Sequence, residues 1–334
     1  MSRVKSAGNP MKRDPFFQIY GLKENEYSSK GLWLIVHFYF GALVFAAIAA
    51  PLVFNLVHYL DPDASSYLAQ KPFGKYFDRG RLLCLLILFP VLMKKANLLS
   101  WQRLGFLPPG WEHFKKWFLL GACMMVFTYS IDFSFGILEP RDNWSWGKQF
   151  LKIGSGLVAA LLIAVAEESF FRGFVFRAFY TSSKPILAVV LSALLFAYIH
   201  FKMPYEVMAH IPVNEIGFDD GLFAIWGTLT TFLYFDGLLF LVLFLAGILL
   251  HLVFLYTRNL WACVGLHAGW AFVIQSLVNT VDEKGEISSF FGSEKVTDGY
   301  LVLILLVAFI LLFLWLMKKQ GSKAASINAV QESR

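Results

Sequence analysis

One apolar stretch of the chain contains three charged residues whose spacing could support chemistry. Within residues 164–173, Glu167, Glu168 and Arg172 interrupt an otherwise apolar run. Residues four apart share a face of an α-helix, so Glu168 and Arg172 can form an ion pair, whereas Glu167 is turned away by about 100°. A carboxylate without a full countercharge is the better group for taking a proton from water. We therefore interpret Glu167 as the candidate general base and Glu168 as the partner of Arg172.

Two histidines in other apolar segments could complete the set. His200 ends one predicted membrane span, and His267 lies within another, beside small residues that allow close helix contact. A carboxylate, a histidine that shares its proton and a second histidine that donates to a developing oxyanion are sufficient for attack of water on a carbonyl group. Asp132 and His251 also lie in apolar spans and could line the same cavity, but a local hydrogen bond to a neighbouring helix is the favoured interpretation for each.

Two other interpretations of these side chains remain open. The charged pair could simply hold two helices together, with each histidine bonded locally. The two glutamates and two histidines could instead bind a divalent metal ion, although no HExxH spacing places two ligands on one helix face. We expect no cofactor, with a divalent metal left open.

The three motifs resemble those of a known family. The EExxxR pattern at Glu167–Arg172, the FxxxH pattern at Phe196–His200 and a third-motif histidine at His267 are similar to those of the CPBP (Abi) family. That family includes the type II CAAX prenyl endopeptidases. The resemblance covers about residues 100–280, including the segment Trp101–Phe106.

The resemblance implies a glutamate-dependent intramembrane endopeptidase. In it, Glu167 with His200 would activate water, and His267 would help to stabilise the oxyanion. The family commonly has an asparagine four residues after the third-motif histidine, where this chain has Ala271. Loss of one oxyanion donor typically costs about 10² to 10³ in rate, so either another group replaces it or the enzyme is weakened or inactive.

The composition places these residues in lipid. Hydrophobic residues make up 57% of the 334 residues and charged residues only 16%, and the mean hydropathy is +0.59, which excludes an ordinary soluble domain. Continuous apolar runs of about 20 residues are typical of membrane-spanning helices, so the sequence predicts an all-α polytopic transmembrane helix bundle. The net charge of +6 comes from basic residues at the ends of these runs, which indicates a lipid bilayer and not nucleic acid as the partner. Cys84, Cys123 and Cys263 lie in apolar stretches and predict no disulfide framework.

About eight spans account for the pattern. They are residues 31–57, 80–93, 117–138, 150–180, 185–201, 237–257, 260–279 and 299–317. The apolar stretch 222–235 is interpreted as a re-entrant or interfacial segment, because a ninth span would invert everything after it. The predicted organisation is an N-terminal segment 1–30, a single transmembrane domain 31–317 with a catalytic core at about 100–280, and a tail 318–334.

The distribution of charge orients the bundle. The loop 94–116 and the tail that opens with Lys318 and Lys319 are basic, whereas the loops 201–221 and 280–298 are acidic. By the positive-inside bias, both termini and the basic loop are expected in the cytoplasm and the acidic loops outside. We expect an integral protein of a bacterial inner (plasma) membrane.

Three function classes follow from these observations. The leading hypothesis is an endopeptidase that hydrolyses a peptide or a membrane-protein substrate. The second is a non-catalytic, peptide-binding or immunity-type membrane protein of the same fold, which Ala271 favours. The third is a proton-coupled transporter, against which the absence of an evident internal repeat counts.

Overall fold

A computed structural model gives the architecture of most of the chain. It describes residues 19–20, 30–141, 146–200, 215–230, 236–278, 280–284, 289–293, 295 and 297–332. Predictions for nearly all of the segment 1–30, for residues 201–214 of the first acidic loop, for residues 231–235 and for 285–288 of the second acidic loop lie outside the described residues.

The described chain is almost entirely helical. Its helices are α1 (Lys30–Leu60), α2 (Phe73–Lys95), α3 (Trp101–Leu104), α4 (Gly110–Ser134), α5 (Trp146–Phe170), α6 (Phe176–Ser182), α7 (Pro185–His200), α8 (Phe218–Thr230), α9 (Gly237–Thr257), α10 (Leu260–Leu277) and α11 (Tyr300–Glu332). A π-helical segment, Phe171–Val175, joins α5 to α6 without a break. The predicted all-α transmembrane bundle is confirmed, with 6 segments in the described chain long and apolar enough to cross a membrane.

The strands in the described ranges form a single two-stranded antiparallel sheet. Strand β1 (Leu138–Pro140) pairs with β2 (Val281–Glu283), and Leu138 lies opposite Glu283. Ion pairs flank the strands, with Arg141 2.7 Å from Asp282 and Lys284 2.6 Å from Glu139. The sheet therefore joins the segment after α4 to the segment after α10.

The predicted span 117–138 is wrong at both ends. Helix α4 begins at Gly110, and it stops at Ser134 because Phe135 caps it and Gly136 turns the chain with a φ of 69°. Leu138 consequently belongs to β1. Apolar residues continue past the helix end into the strand, which is why hydropathy alone extended the span.

Helices α2, α7 and α8 are not among the six candidate spans. Helix α2 is long enough, with 23 residues, but it begins before the predicted 80–93, and its first half carries Asp78, Arg79 and Arg81. The described residues of α7 number 16, and those of α8, in the stretch interpreted as re-entrant or interfacial, number 13. Helix α8 packs on α1, where a Cβ at Gly221 would collide with the carbonyl oxygen of Ala47.

Glycines bring α4 and α10 into close contact. A Cβ at Gly265 would collide with the backbone of Phe114, and a Cβ at Gly269 with the backbone of Phe118. Small residues at this spacing allow helix backbones to approach closely in a membrane. Both residue numbers increase along the contact, so α4 and α10 are parallel.

Helix α9 runs parallel to α5 and α6. Arg172 contacts Gly247, and further along both helices the rings of Phe176 and His251 are 5.2 Å apart. Helix α7 is antiparallel to α5, because residue numbers increase along α7 while those of its contacts in the π-helical segment and α5 decrease. It therefore crosses the bundle between α6 and α9. The helix directions therefore favour the predicted topology of about eight spans.

The two ends of the described bundle lie at one face. Gly31 at the start of α1 packs against Ala178 of α6, and Phe313 of α11 has its ring 5.5 Å from that of Trp117, near the start of α4. The basic loop 94–116 leads into the same end of α4. This arrangement agrees with the prediction that both termini share a side with that loop.

Candidate active site

The Glu168–Arg172 pair is completely buried and is hydrogen-bonded to residues of two other helices. Glu168 Oε1 accepts hydrogen bonds from Arg172 Nη1 at 2.9 Å and from His267 Nδ1 at 2.8 Å. Arg172 Nη2 donates to the carbonyl oxygen of Gly247 at 3.1 Å. The predicted ion pair is therefore present, and it links α5, the π-helical segment, α9 and α10.

The π-helical segment begins at Phe171, three residues after Glu168. Segments of this kind widen one helical turn and are frequent at functional sites. Here the segment contains Arg172 and Gly173, and a Cβ at Gly173 would lie 3.2 Å from a side-chain carbon of Leu104. The widened turn thus carries the guanidinium of Arg172, and Gly173 leaves room for Leu104 at the end of α3.

Glu167 faces away from the ion pair and towards both histidines. Its Oε2 lies 3.6 Å from His200 Nε2 and 4.0 Å from His267 Nε2. The side chains of Glu167 and His200 are 30% and 28% exposed, whereas that of His267 is 12% exposed. The structure therefore brings together all the predicted site residues, with one carboxylate accessible and the other sealed.

The backbone assigns the proton on the His200 ring. His200 Nδ1 lies 2.6 Å from the carbonyl oxygen of Phe196, and a carbonyl oxygen only accepts, so Nδ1 must donate. The neutral ring then presents a lone pair at Nε2. His267 has the same polarity when Nδ1 donates to Glu168.

Three acceptors consequently surround one small gap. They are Glu167 Oε2 and the Nε2 atoms of His200 and His267. Acceptors at these separations can share a hydrogen donor or a cation that bridges them: a water molecule, an added proton or a metal ion. Among the described residues, no set of three or more His, Cys, Asp or Glu side chains has an arrangement typical of a bound metal ion.

The ring of Phe196 packs against the two histidines and Arg172. Its ring centroid is 4.5 Å from that of His200 and 6.3 Å from that of His267, and the Arg172 guanidinium carbon is 5.0 Å from it. The FxxxH pattern therefore has a double role, because Phe196 supplies the carbonyl that orients His200 and the ring that covers Arg172.

The two further polar residues of the spans have different surroundings. His251 is buried and bonds through Nε2 to Ser192 Oγ of α7 at 3.0 Å, which confirms the predicted hydrogen bond to a neighbouring helix. Asp132 is also buried, and its Oδ1 has no hydrogen-bond partner in the described part of the chain. Ala271 provides no polar group, while Nε1 of the adjacent Trp270 is buried without a partner among the described residues.

Arg177 of α6 holds the segment around α3 against the continuation of the helix that carries the glutamates. It donates to the carbonyl oxygens of Arg103 and, at 2.9 Å, of Leu104, and its guanidinium carbon lies 4.3 Å from the Tyr20 ring centroid. Burial raises the pKa of Tyr20 to about 12, so its hydroxyl stays protonated and donates to the carbonyl of Arg258 at 3.1 Å. The segment Trp101–Phe106 is thereby held against the core.

Sequence spacing alone does not reveal several of these contributors. Gly247, Ser192 and His251 act through contacts between helices that are distant in the chain. In the sequence, Gly247 is only a glycine in a very apolar span, and Ser192 and His251 are each a polar residue in an apolar span.

One comparison, with models of protein families, gave a match. Residues 149–273 match the family model described as Type II CAAX prenyl endopeptidase Rce1-like. The matched segment contains all five predicted site residues and is narrower than the expected 100–280. Comparisons with curated proteins and with solved structures gave no match. Residues 149–273 therefore resemble an Rce1-like domain, and this match supports membership of the CPBP family.

Proposed function

We propose that this protein is an intramembrane endopeptidase that hydrolyses a peptide bond with water activated by Glu167 and His200. The observation that carries the proposal is the convergence of Glu167 Oε2 with His200 Nε2 at 3.6 Å and His267 Nε2 at 4.0 Å, beside a sealed ion pair. The Rce1-like domain supports a CAAX-type protease. The substrate class is a peptide or the tail of a membrane protein.

Water activation follows from the polarity of the facing groups. A water molecule between Glu167 and His200 donates one hydrogen to each acceptor, and its lone pairs then point away from both. In that orientation it can attack a substrate carbonyl carbon while Glu167 takes the proton. The protonated carboxyl group then gives its proton to the departing amine.

Stabilisation of the oxyanion depends on the protonation of His267. With Nδ1 donating to Glu168, Nε2 can donate to an oxyanion only when the ring carries a second proton. The Glu168 carboxylate then provides the countercharge, and Arg172 holds that carboxylate in place. Ala271 supplies no second donor, so the proposal assigns most of this role to His267.

The decisive experiment compares peptide termini in cells that carry the wild type or Glu167→Gln. We expect a set of termini that is present with the wild type and absent with Glu167→Gln and with His200→Ala. Thr128→Val, which removes a buried hydrogen bond outside the site, should leave these termini unchanged. Identical termini in the wild type and Glu167→Gln would contradict the proposal.

A metal-dependent version makes a different prediction. A zinc peptidase needs about three protein ligands and an open position for water, so loss of one ligand should release the metal and chelators should stop turnover. We favour metal-free catalysis, in which His267→Ala leaves a residual rate. Stoichiometric zinc in purified active protein, lost on His200→Ala, would overturn that choice.

Ala271 favours one other candidate function, a protein that binds peptides without cutting them. In that case, the termini would not depend on Glu167, but peptides would co-purify with both the wild type and Glu167→Gln.

A further inference from the structure

A chain of hydrogen bonds lies behind the candidate site and ends on α7. Ser192 Oγ is 3.0 Å from His251 Nε2, and His251 Nδ1 is 2.6 Å from the carbonyl oxygen of Gly247. The same carbonyl accepts from Arg172, whose guanidinium holds Glu168. These bonds connect α7, α9 and the π-helical segment.

The direction of each bond can be assigned. A carbonyl oxygen only accepts, so His251 Nδ1 carries a proton and donates to Gly247. The Nε2 of the neutral ring is then an acceptor, and the hydroxyl of Ser192 must donate to it. Ser192 and His251 are both completely buried, which makes each bond costly to break.

Ser192 lies on the stripe of α7 that also carries His200. Ser192, Phe196 and His200 are spaced four residues apart, so they occupy one face of the helix. The other polar side chain of α7 is that of Tyr198, whose hydroxyl donates to the carbonyl oxygen of Leu229 in α8 at 3.1 Å, and the remaining residues are apolar. Apolar packing alone allows a helix to rotate about its axis, and the Tyr198 bond does not connect α7 to the helices that hold the ion pair. Rotation of α7 would carry His200 away from Glu167, and the Ser192 hydrogen bond opposes that rotation.

We propose that Ser192 and His251 form a clamp that positions His200 against Glu167. His251 is the fixed half of the clamp, because its bond to Gly247 sets the ring orientation within α9. Close packing supports the clamp, since a Cβ at Gly247 would lie 3.1 Å from the Cβ of Ala193. The inference rests on the proposed function in treating His200 as the partner of Glu167, but its test requires no turnover.

The test is a double-mutant cycle on the full chain, purified in detergent micelles with ¹⁵N-labelled histidine. The chain has 7 histidines, so the ring nitrogens of His200 can be assigned by their loss in His200→Gln. Glu167→Gln should shift the Nε2 resonance of His200 because the two side chains are 3.6 Å apart. In a Ser192→Ala background, we expect Glu167→Gln to leave that resonance nearly unchanged.

Two substitutions of His251 separate its two bonds. The side-chain oxygen of His251→Gln lies near the position of Nε2 and can accept from Ser192, so the Glu167 effect on His200 should be retained. The amide nitrogen of His251→Asn lies near the position of Nδ1 and leaves Ser192 without its acceptor, so the effect should be lost. This pair keeps the inference testable if Ser192→Ala does not fold, as judged by circular dichroism and elution as a single species.

Thr128→Val is the matched control, because it removes a buried hydroxyl that bonds within α4 and has no described contact with the clamp. An undiminished Glu167 effect in both Ser192→Ala and His251→Asn would overturn the inference. Loss of the effect in Thr128→Val as well would also overturn it, since general loosening would then explain all the variants. Failure of the proposed function would instead leave peptide termini independent of Glu167 while the resonance shifts remained.

Discussion

Glu167 and Glu168 are adjacent in the chain, but the bundle gives their carboxylates different surroundings. Glu168 is sealed between Arg172 and His267, whereas the Glu167 side chain is 30% exposed and faces two imidazole rings. A buried ion pair tolerates loss of one partner badly, because the remaining charge has no compensation. The two glutamates should therefore respond differently to the same substitution.

We expect Glu168→Gln to lower the free energy of unfolding by about 3–5 kcal/mol, because Arg172 is left as an uncompensated buried charge. Glu167→Gln removes a partly exposed carboxylate and should change stability by no more than about 0.5 kcal/mol. Denaturant-induced unfolding in detergent micelles measures both. As a control, Glu168→Gln combined with Arg172→Met should recover part of the loss, and equal losses in the two single variants would contradict the assignment.

The sequence predicted the site residues best where the chemistry is local. The spacing of Glu168 and Arg172 predicts their pair directly, and the face left to Glu167 follows from the same helical geometry. Their partners were predictable only as a set of polar residues in separate spans. That His267 bonds to Glu168, and that His251 bonds to Ser192, depends on helix packing that residue spacing does not encode.

At the scale of elements, glycine contacts set the distance between α4 and α10. Gly265 and Gly269 of α10 face the backbone of Phe114 and Phe118, and Gly121 of α4 approaches the backbone of α10 in return. Such contacts allow no added carbon, so the helices must separate if one is introduced. His267 lies between the two glycines of α10, and separation would displace it from Glu168.

Gly269→Ala should therefore destabilise the protein by about 1–3 kcal/mol through overpacking against the backbone of Phe118 and Ala122. Gly154→Ala is the matched control, because a Cβ there meets nothing within 4 Å, and removing a helical glycine should stabilise by up to about 1 kcal/mol. Thermal unfolding of the two variants in micelles makes the comparison. An equal effect in both would mean that the close contact is unimportant.

Hydropathy predicted most of the long helices and their ends, but not the ends of α4. Long apolar runs gave the first, fourth, sixth, seventh and eighth spans within a few residues. The span predicted for α4 extended too far, since the apolar residues after Ser134 form a turn and a strand instead of continuing the helix. The β1–β2 pairing joins residues more than 130 positions apart, and three-residue strands leave too little pattern to predict it.

At the scale of the whole molecule, helix directions determine which loops share a side. The parallel helices α4 and α10 lead into the β1–β2 sheet at one face. The start of α1 and the C-terminal half of α11 lie at the opposite face, together with the basic loop 94–116. From the positive-inside bias we then expect the sheet outside and the termini in the cytoplasm. The cytoplasmic orientation and a bacterial host stay predictions.

Cysteine labelling tests this orientation. In a variant without the three native cysteines, Asp282→Cys should react with a membrane-impermeant maleimide in intact cells, whereas Glu112→Cys and Lys319→Cys should react only after permeabilisation. Asp282 and Glu112 have exposed side chains, so accessibility does not limit the reaction. Labelling of Lys319→Cys in intact cells would exclude the eight-span topology with both termini in the cytoplasm.

The accessibility of Glu167 has a consequence for the water that the proposed reaction consumes. The side chains of Glu167 and His200 are 30% and 28% exposed, whereas that of Glu168 is sealed. Hydrolysis uses one water molecule for each bond cut, and the hydrocarbon layer supplies none, so the replacement must arrive from the side on which these two side chains are accessible. A substrate peptide that covers this side would then also control the supply of the second reactant.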